Sequence, residues 1–180
     1  YYLKQKGYNH VTGIDVSEGQ VQVAHQLGIK EVIQGDLVDY LKNNPNTFDV
    51  ILGIDIIEHF GKNELVDLLA LIHQALKPEG TAIFRTPNLD APFASIFANG
   101  DFTHENFMNA YSANQVFTSC GFSNVSILPS YIHVNGFLKE IIRKIVWLKF
   151  TIWARLVIFA SGRSAKYVLF SPNMLIRTRK

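Results

Sequence analysis

The sequence predicts an α/β fold built on a mostly parallel sheet. Short apolar runs alternate with stretches of helical periodicity over residues 1–135, which is the pattern of parallel strands joined by helices. The run 48–54 is continuously apolar apart from one acid, as expected of a strand buried on both faces. With 48% hydrophobic and 18% charged residues among 180, the composition excludes disordered, collagen-like and coiled-coil chains.

Each predicted element has local signals at its ends. Ser17 caps the first helix and Gly28 stops it, Lys77-Pro78-Glu79-Gly80 ends the second, and Ser112 caps a third that stops at Gly121. The predicted strands are 11–16, 31–34, 48–54, 81–85, 125–128 and 167–178, and the predicted helices are 17–27, 63–76 and 112–120. A long loop with Pro and Asn residues is expected over 86–110.

The charge is divided along the chain. Residues 1–135 hold 14 Asp and Glu against 7 Lys and Arg, whereas residues 136–180 hold 10 Lys and Arg against a single Glu. We therefore divide the chain into a core at 1–135, a helical insertion at 136–165 and a final sheet strand at 166–180. A basic end on an acidic body predicts an anionic partner for that end, or merely a solvated face.

Residues 138–155 predict a basic amphipathic helix with Trp and Phe among its apolar residues. Its basic residues argue against a transmembrane span, which needs about 20 predominantly apolar residues. The helix is suited to lie in a membrane interface, or to pack on its own domain or on a second subunit in a homo-oligomer. The lone Cys120 excludes an internal disulfide and predicts a reducing, cytoplasmic location, with peripheral contact to the inner face of the membrane.

Acids end three of the predicted strand segments: Asp15, Asp36 and Asp55. Ligands of open parallel sheets bind beyond the carboxyl ends of the strands, and an acid placed there can accept both hydroxyl hydrogens of a ribose. One such acid is also a common helix cap. Three on successive strands favour a nucleotide-type cofactor.

The sequence resembles class I S-adenosylmethionine-dependent methyltransferases over residues 8–128. The resemblance rests on these segments and their order: Gly13-Ile14-Asp15-Val16-Ser17, Gly35-Asp36-Leu37, Phe48-Asp49-Val50-Ile51 through Glu58-His59, and Leu76-Lys77-Pro78-Glu79-Gly80-Thr81. It implies a Rossmann-like methyltransferase sheet and S-adenosylmethionine (SAM) as cofactor. The residues it implies for the cofactor are Asp15 on the ribose, Val16 beside the adenine, Asp36 and Leu37 at the adenine amino group and ring, and Gly53 and Ile54 along the methionine part.

The family's first strand and its Gly-rich loop would precede Tyr1, so this sequence lacks them. In that fold the first strand lies between the strands that end at Asp15 and Ile54, and two buried strands lose a neighbour without it. We therefore expect the 180 residues to be a fragment of a longer chain, incomplete at the N-terminus, that alone binds cofactor poorly and is inactive. The alternative is a degenerate, non-enzymatic binding module.

Candidate catalytic residues are His59 as general base and His104 as the second choice, because imidazole accepts protons near neutral pH. Hydrogen bonding of a loop histidine to backbone is the alternative for His104. Arg85 either contacts an anionic acceptor or pairs with a neighbouring acid.

Asp55, Glu58 and His59 have the spacing of one helical turn, and His104 could add a second imidazole. These donors suit Mg²⁺ or Mn²⁺. The pattern is similar to the metal site of ubiquinone-pathway O-methyltransferases and small-RNA 2′-O-methyltransferases, although Glu-His at this place also occurs in relatives without a metal.

The C-terminal third resembles bacterial methyltransferases of polysaccharide and cell-envelope gene clusters through Thr103-His104-Glu105-Asn106, Cys120-Gly121-Phe122, the basic helix and Ser171-Pro172-Asn173-Met174. This resemblance implies O-methylation of a sugar or other small hydroxyl acceptor, free or lipid-linked, while nitrogen and carbon acceptors stay open. Metal-assisted methylation of an RNA ribose is the alternative. Nucleic acid is not the expected partner, because aromatic and basic residues do not interleave on a sheet edge.

Overall fold

A computed structural model describes residues 1–180, except for the side chain of Phe97. The strands are β1 (Gly13–Asp15), β2 (Val32–Gln34), β3 (Phe48–Ile54), β4 (Leu76–Pro87), β5 (Ser123–Ser130) and β6 (Asn173–Arg179). The helices are α1 (Tyr2–Gln5), α2 (Glu18–Gln26), α3 (Leu37–Lys42), α4 (Lys62–Ala75), α5 (Ala94–Ala98), α6 (Ala110–Ser119) and α7 (Phe137–Ala160). A 3₁₀ turn, Ile57–His59, follows β3.

The strands form a Rossmann-like α/β arrangement of mixed direction, as predicted. β1 and β2 pair in parallel as a two-stranded sheet, and β3, β4, β6 and β5 follow one another in a four-stranded sheet. β3 and β4 are parallel, whereas β6 runs antiparallel to both of its neighbours. The C-terminal strand is therefore the antiparallel one, inserted between β4 and β5.

Among the strands that the structure describes, β1 pairs only with β2, and β3 pairs only with β4. On one face of β3 the alternating side chains of Val50, Leu52 and Ile54 are 45–54% exposed. An exposed apolar stripe beside a free strand edge is unusual, because folded proteins normally pair or cover such an edge.

The core lies on the opposite face of the four-stranded sheet. Helix α4 contributes Leu65, Leu68, Leu69 and Ile72, all at most 2% exposed, at the helical spacing that the sequence shows. They pack with Phe84 of β4 and with side chains of α6 and β6 in one cluster. This cluster holds the carboxyl ends of β3 and β4, and so positions the residues that follow them.

Several element boundaries differ from the predicted ones, and three of them have a visible cause. β4 starts at Leu76 rather than 81, because Leu76 already pairs with Phe48 of β3. The Lys77–Gly80 segment then continues as an irregular part of the strand, with Glu79 in a left-handed conformation (φ 63°). Helix α6 is capped by Asn109, whose Oδ1 accepts from the backbone N–H groups of Tyr111 and Ser112. The last strand starts at Asn173 rather than 167, after Pro172.

Helix α7 spans 24 residues and meets the body along one narrow face. The Trp147 ring lies edge-on to Tyr131, with centroids 6.2 Å apart, and Phe150 lies 6.0 Å from Phe170. Ala154 is buried on the same face. Among the described residues, no helix is both long and apolar enough to cross a bilayer.

Candidate active site

The carboxylate of Asp15 lies at the carboxyl end of β1 and is exposed. Its Oδ1 accepts a hydrogen bond from the backbone N–H of Ser17 at 2.8 Å, and Ser17 in turn caps helix α2. Because each carboxylate oxygen has two acceptor positions, this contact orients Asp15 and still leaves it able to accept from a ligand's hydroxyl groups. The ribose contact that the resemblance implies for Asp15 stays a prediction.

The predicted adenine-side residues lie around the ends of β1 and β2. Val16 is 68% exposed, and its carbonyl accepts from the side chain of Gln34 on β2. Asp36 caps α3, because its Oδ1 accepts from the backbone N–H of Asp39 at 3.0 Å. Leu37 is half-buried and packs against the core cluster. The side chains of Val16 and Asp36 are thus exposed at the strand ends, whereas the side chain of Leu37 packs partly in the core.

Gly53 and Ile54, predicted along the methionine part, differ in their surroundings. Gly53 is buried, and a Cβ built on it would lie 2.6 Å from Cδ1 of Phe84. Close packing of β3 on β4 therefore accounts for glycine at this position by itself. Ile54 is exposed on the stripe side of β3.

The structure separates Asp55 from the predicted metal-ligating group, which corrects that part of the prediction. Asp55 adopts a left-handed conformation (φ 50°) directly after β3, before the 3₁₀ turn begins. Its side chain points to Arg85 of β4, which donates to both carboxylate oxygens through Nε and Nη2. The spacing argument was wrong here because Asp55 does not share a helical turn with Glu58. Of the two roles considered for Arg85, the structure shows pairing with an acid.

Glu58, His59 and His104 do come together. Each offers one possible ligand atom, and these atoms lie within 4.8 Å of one another. The imidazole rings of His59 and His104 meet edge to face, with centroids 4.8 Å apart. The loop that carries His104 is held in place because the backbone carbonyl of Glu58 accepts from the N–H groups of Glu105 and Asn106.

Hydrogen bonds fix the tautomer of both histidines. The Thr103 hydroxyl donates its hydrogen to Asp101 Oδ1 at 2.7 Å, so its oxygen accepts from His59 Nδ1–H at 2.9 Å. His104 Nδ1–H donates to the carbonyl of Ala98 at 2.8 Å, because a carbonyl can only accept. In both neutral rings Nε2 is then the nitrogen that carries the lone pair. The backbone contact considered for His104 exists and leaves this nitrogen to act as a base or ligand.

The carboxyl group of Glu58 is 1% exposed and accepts from the Thr86 hydroxyl at 3.1 Å. Burial raises the pKa of Glu58, and the negative charge of Asp55 acts in the same direction. In contrast, the Thr103 side-chain and backbone hydrogen bonds lower the pKa of Asp101, which is exposed. Burial therefore disfavours the charged form of Glu58, whereas hydrogen bonds stabilise the charged form of Asp101.

The donor set of Glu58, His59 and His104 fits a divalent cation. One carboxylate oxygen and two imidazole nitrogens suit Mn²⁺ and other transition ions better than Mg²⁺, which prefers oxygen ligands. The hydrogen bonds on both Nδ1 atoms are the kind of contact that orients metal-binding histidines. These three residues would hold the ion, and it would supply a Lewis acid at this site.

The sequence did not predict that Asp101 and Thr103 bind one another in the candidate site. Thr103 was considered only as the neighbour of His104. The available signal was Asp-x-Thr, because an Asp side chain commonly accepts from the backbone N–H two residues on, as Asp101 does from Thr103 at 2.9 Å. Thr86, which binds Glu58, carried no comparable signal.

The chain was compared with known families and solved structures. Residues 1–84 match the family described as a methyltransferase domain. No protein with a curated description matches. A SAM-dependent methyltransferase from Archaeoglobus fulgidus is similar in structure, with a TM-score of 0.71 and 20% identity over 99% of this chain and 79% of that one.

Two further solved structures share the fold. A methyltransferase from Thermotoga maritima, described as a possible histamine N-methyltransferase, has a TM-score of 0.65 and 14% identity over 94% of this chain and 72% of its own. A phosphoethanolamine N-methyltransferase from Haemonchus contortus, in complex with S-adenosylhomocysteine, has a TM-score of 0.63 and 16% identity over 99% of this chain. The match spans only 45% of that longer enzyme.

The chain has the fold of SAM-dependent methyltransferases, and its residues 1–84 match a methyltransferase domain. A second structure of the Haemonchus enzyme holds S-adenosylmethionine itself. The methyltransferase-domain match covers the segment that carries Asp15, Asp36, Glu58 and His59. At these identities the solved structures establish the fold and leave the acceptor to be argued from the site.

Proposed function

We propose that this methyltransferase acts on a hydroxyl oxygen of a small acceptor, with His59 as the general base. The observation that carries the proposal is the chain of hydrogen bonds from Asp101 through Thr103 to His59 Nδ1. With Nδ1–H donating to Thr103, Nε2 carries the lone pair of a ring that lies beside His104. A hydroxyl acceptor must lose a proton during methyl transfer, whereas an amine can attack while neutral.

When bound, SAM supplies the methyl group as a sulfonium that leaves as S-adenosylhomocysteine. The acceptor oxygen forms a bond to the methyl carbon as the carbon–sulfur bond breaks, and the hydroxyl proton passes to His59 Nε2. The positive imidazolium is then stabilised through Thr103 by the negative charge of Asp101, whose pKa is lowered. Asp15 holds the ribose hydroxyls, and so aligns the reacting centre with the acceptor.

The test is formation of S-adenosylhomocysteine by the natural gene product with matched hydroxyl and amine acceptors. His59→Ala should lower kcat by about 100-fold or more, the usual size of general base catalysis, without weakening SAM binding. His10→Ala, which removes an exposed imidazole elsewhere, is the control. Full turnover by His59→Ala, or methylation confined to amines, would exclude the proposed role.

We propose a sugar hydroxyl of cell-envelope polysaccharide biosynthesis, free or lipid-linked, as the acceptor. The support is the resemblance of the C-terminal third, together with the basic helix α7 placed beside the body. A panel of free sugars, sugar nucleotides and lipid-linked sugars, each with and without the hydroxyl methylated in advance, would show which one is consumed. Methylation of small amino compounds in place of every sugar would refute this choice.

We also propose that a parallel strand from outside these 180 residues fits between β1 and β3. The apolar stripe Val50, Leu52 and Ile54 and the edges of the two sheets support it. On this proposal the 180-residue chain binds SAM more weakly than the natural gene product. Equal affinity of the two in calorimetry would refute the proposal, and a natural product without such a strand would instead favour a degenerate binding module.

The cluster of Glu58, His59 and His104 favours a second candidate, metal-assisted methylation of an RNA ribose hydroxyl. The three possible ligand atoms within 4.8 Å are its specific support. On this reading His59 binds the ion rather than a proton. The expected results are Mn²⁺ binding in calorimetry that Glu58→Gln or His104→Ala abolishes, and salt-sensitive RNA binding with turnover that needs the ion. Full turnover after chelation would reject this candidate.

A further inference from the structure

Helix α7 turns its apolar side away from the body of the protein. Its inner face carries Trp147, Phe150 and Ala154. Its other faces carry large apolar side chains that are 38–81% exposed: Phe137, Leu138, Ile141, Ile142, Ile145, Val146, Leu148, Ile152, Trp153, Leu156, Val157 and Phe159. Twelve such side chains on one helix form a far larger apolar patch than the scattered residues of an ordinary surface.

Basic residues accompany this apolar surface. Lys139, Lys144 and Lys149 are exposed along the helix, and Lys149 lies within the apolar side, where it follows Ile145 and Val146 and precedes Ile152 and Trp153 by one turn. The single acid of the helix, Glu140, is bound by Arg143 at 2.6–2.7 Å, and this contact lowers the pKa of Glu140 to about 2. Its charge is therefore compensated within the helix. The exposed surface is left with net positive charge.

A basic hollow lies at the carboxyl end of α7. Arg155, Arg163 and Lys166 line it, together with Ser164, Phe159 and the backbone at Gly162. Arg155 is held in place there, because its Nη1 donates to the Ala165 carbonyl at 3.0 Å. Guanidinium, ammonium and hydroxyl donors around one hollow suit the phosphate of a lipid head group.

We propose that α7 and this hollow form a docking surface for a membrane rich in anionic phospholipid. A basic helix with a wide apolar face and with Trp and Phe on that face is the type that lies in the interface plane, and the long side chain of Lys149 can extend from that face to the head groups. The surface is complementary in charge to anionic lipid.

Flotation of the whole chain with vesicles tests the proposal. Binding to phosphatidylglycerol vesicles and not to phosphatidylcholine vesicles is expected. Each basic residue near an anionic surface strengthens binding by about fivefold, so Lys144→Gln with Lys149→Gln should weaken it about 25-fold. Lys42→Gln with Lys62→Gln is the matched control, since both lysines are exposed on the acidic body. The proposal would be overturned if the two double variants lost vesicle binding equally, or if the protein bound both kinds of vesicle with the same affinity.

Tryptophan fluorescence gives a second readout that does not depend on basic residues. The chain has two tryptophans, so Trp147→Phe leaves Trp153, which is 61% exposed, as the single reporter. Its emission should shift to shorter wavelength when phosphatidylglycerol vesicles are added. If the emission of Trp153 is already at shorter wavelength without vesicles, and the protein sediments as a dimer, the helix forms a contact between two copies of the chain. Salt-sensitive binding to RNA without flotation would assign the basic residues to nucleic acid. Either result would overturn the lipid proposal.

Discussion

At the residue scale, Glu58 is a buried acid at the centre of the candidate site. Burial raises the pKa of this carboxyl group above its ordinary value of 4.5, so folding disfavours the charged form. The contribution of neutral Glu58 to folding stability is fully present when the pH is below the pKa of this group in the unfolded chain. It is lost as the pH rises through the folded pKa.

We therefore predict that Glu58→Gln flattens the dependence of stability on pH above the ordinary value of 4.5. The amide cannot ionise, and its oxygen can still accept from Thr86. Each unit of pKa difference corresponds to about 1.4 kcal/mol that the variant does not lose. Denaturant unfolding at a series of pH values, with chelator present, measures this. Parallel curves for the two proteins would show that Glu58 is not the group responsible, and Glu64→Gln, an exposed acid on α4, is the control.

Thr103 is predicted to position His59 rather than to touch the substrate. Thr103→Val removes the oxygen that accepts from His59 Nδ1, so the ring can rotate or change tautomer. We expect kcat to fall by about 10-fold or more, and the acid limb of the pH–rate profile to move, with SAM affinity unchanged. Thr103→Ser keeps the hydroxyl and should restore both. A loss that serine does not restore would indicate a packing role instead.

The candidate site was predictable where a residue's place follows from the end of a strand. Asp15 is the last residue of β1, and His59 lies in the 3₁₀ turn that follows β3. The error at Asp55 arose because spacing alone cannot reveal a left-handed residue that breaks the helical turn. The contact between Thr103 and His59 joins residues 44 positions apart, so hydrophobic periodicity, which reports on near neighbours in the sequence, could not predict it.

At the element scale, the pairing of β3 with β4 depends on a glycine. Gly53 faces Phe84 across the two strands, and any Cβ there would lie within 2.6 Å of the ring. Gly53→Ala should destabilise the protein by about 1–3 kcal/mol, the usual cost of overpacking a core. The double variant Gly53→Ala with Phe84→Leu should recover part of this loss, because the smaller side chain yields space. Thermal unfolding of the single and double variants is the measurement, and additive losses would contradict the contact.

Element positions were predictable where hydrophobic periodicity and caps agree. β3 was predicted at its observed residues, and α4 within one residue at each end. Short pieces were missed, since α1, α3 and α5 span 4–6 residues and are held by their surroundings. The final strand was predicted too long because Tyr167–Phe170 is as apolar as a strand. Asn88 instead binds the carbonyls of Leu169 and Ser171 at 2.8–2.9 Å and holds that segment as a loop.

At the scale of the whole molecule, an acidic body with the methyltransferase fold carries a basic C-terminal segment, residues 136–180. The charge division was visible in the sequence, but the direction in which α7 turns its apolar residues was not. Periodicity shows that a helix has an apolar side, and only the three-dimensional contacts show whether the protein itself covers that side. In this structure the contacts of Trp147 and Phe150 turn most of that side outward.

The central claim is that SAM binds at the carboxyl ends of these strands, with its ribose on Asp15. Calorimetric titration of S-adenosylhomocysteine into the natural gene product tests it most directly. Asp15→Ala should weaken binding by about 10-fold or more, because hydrogen bonds to a charged group contribute about 1.5–3 kcal/mol. Asp67→Ala, the loss of an exposed acid on α4, should leave affinity unchanged. Equal affinities of Asp15→Ala and the unsubstituted protein would contradict the account.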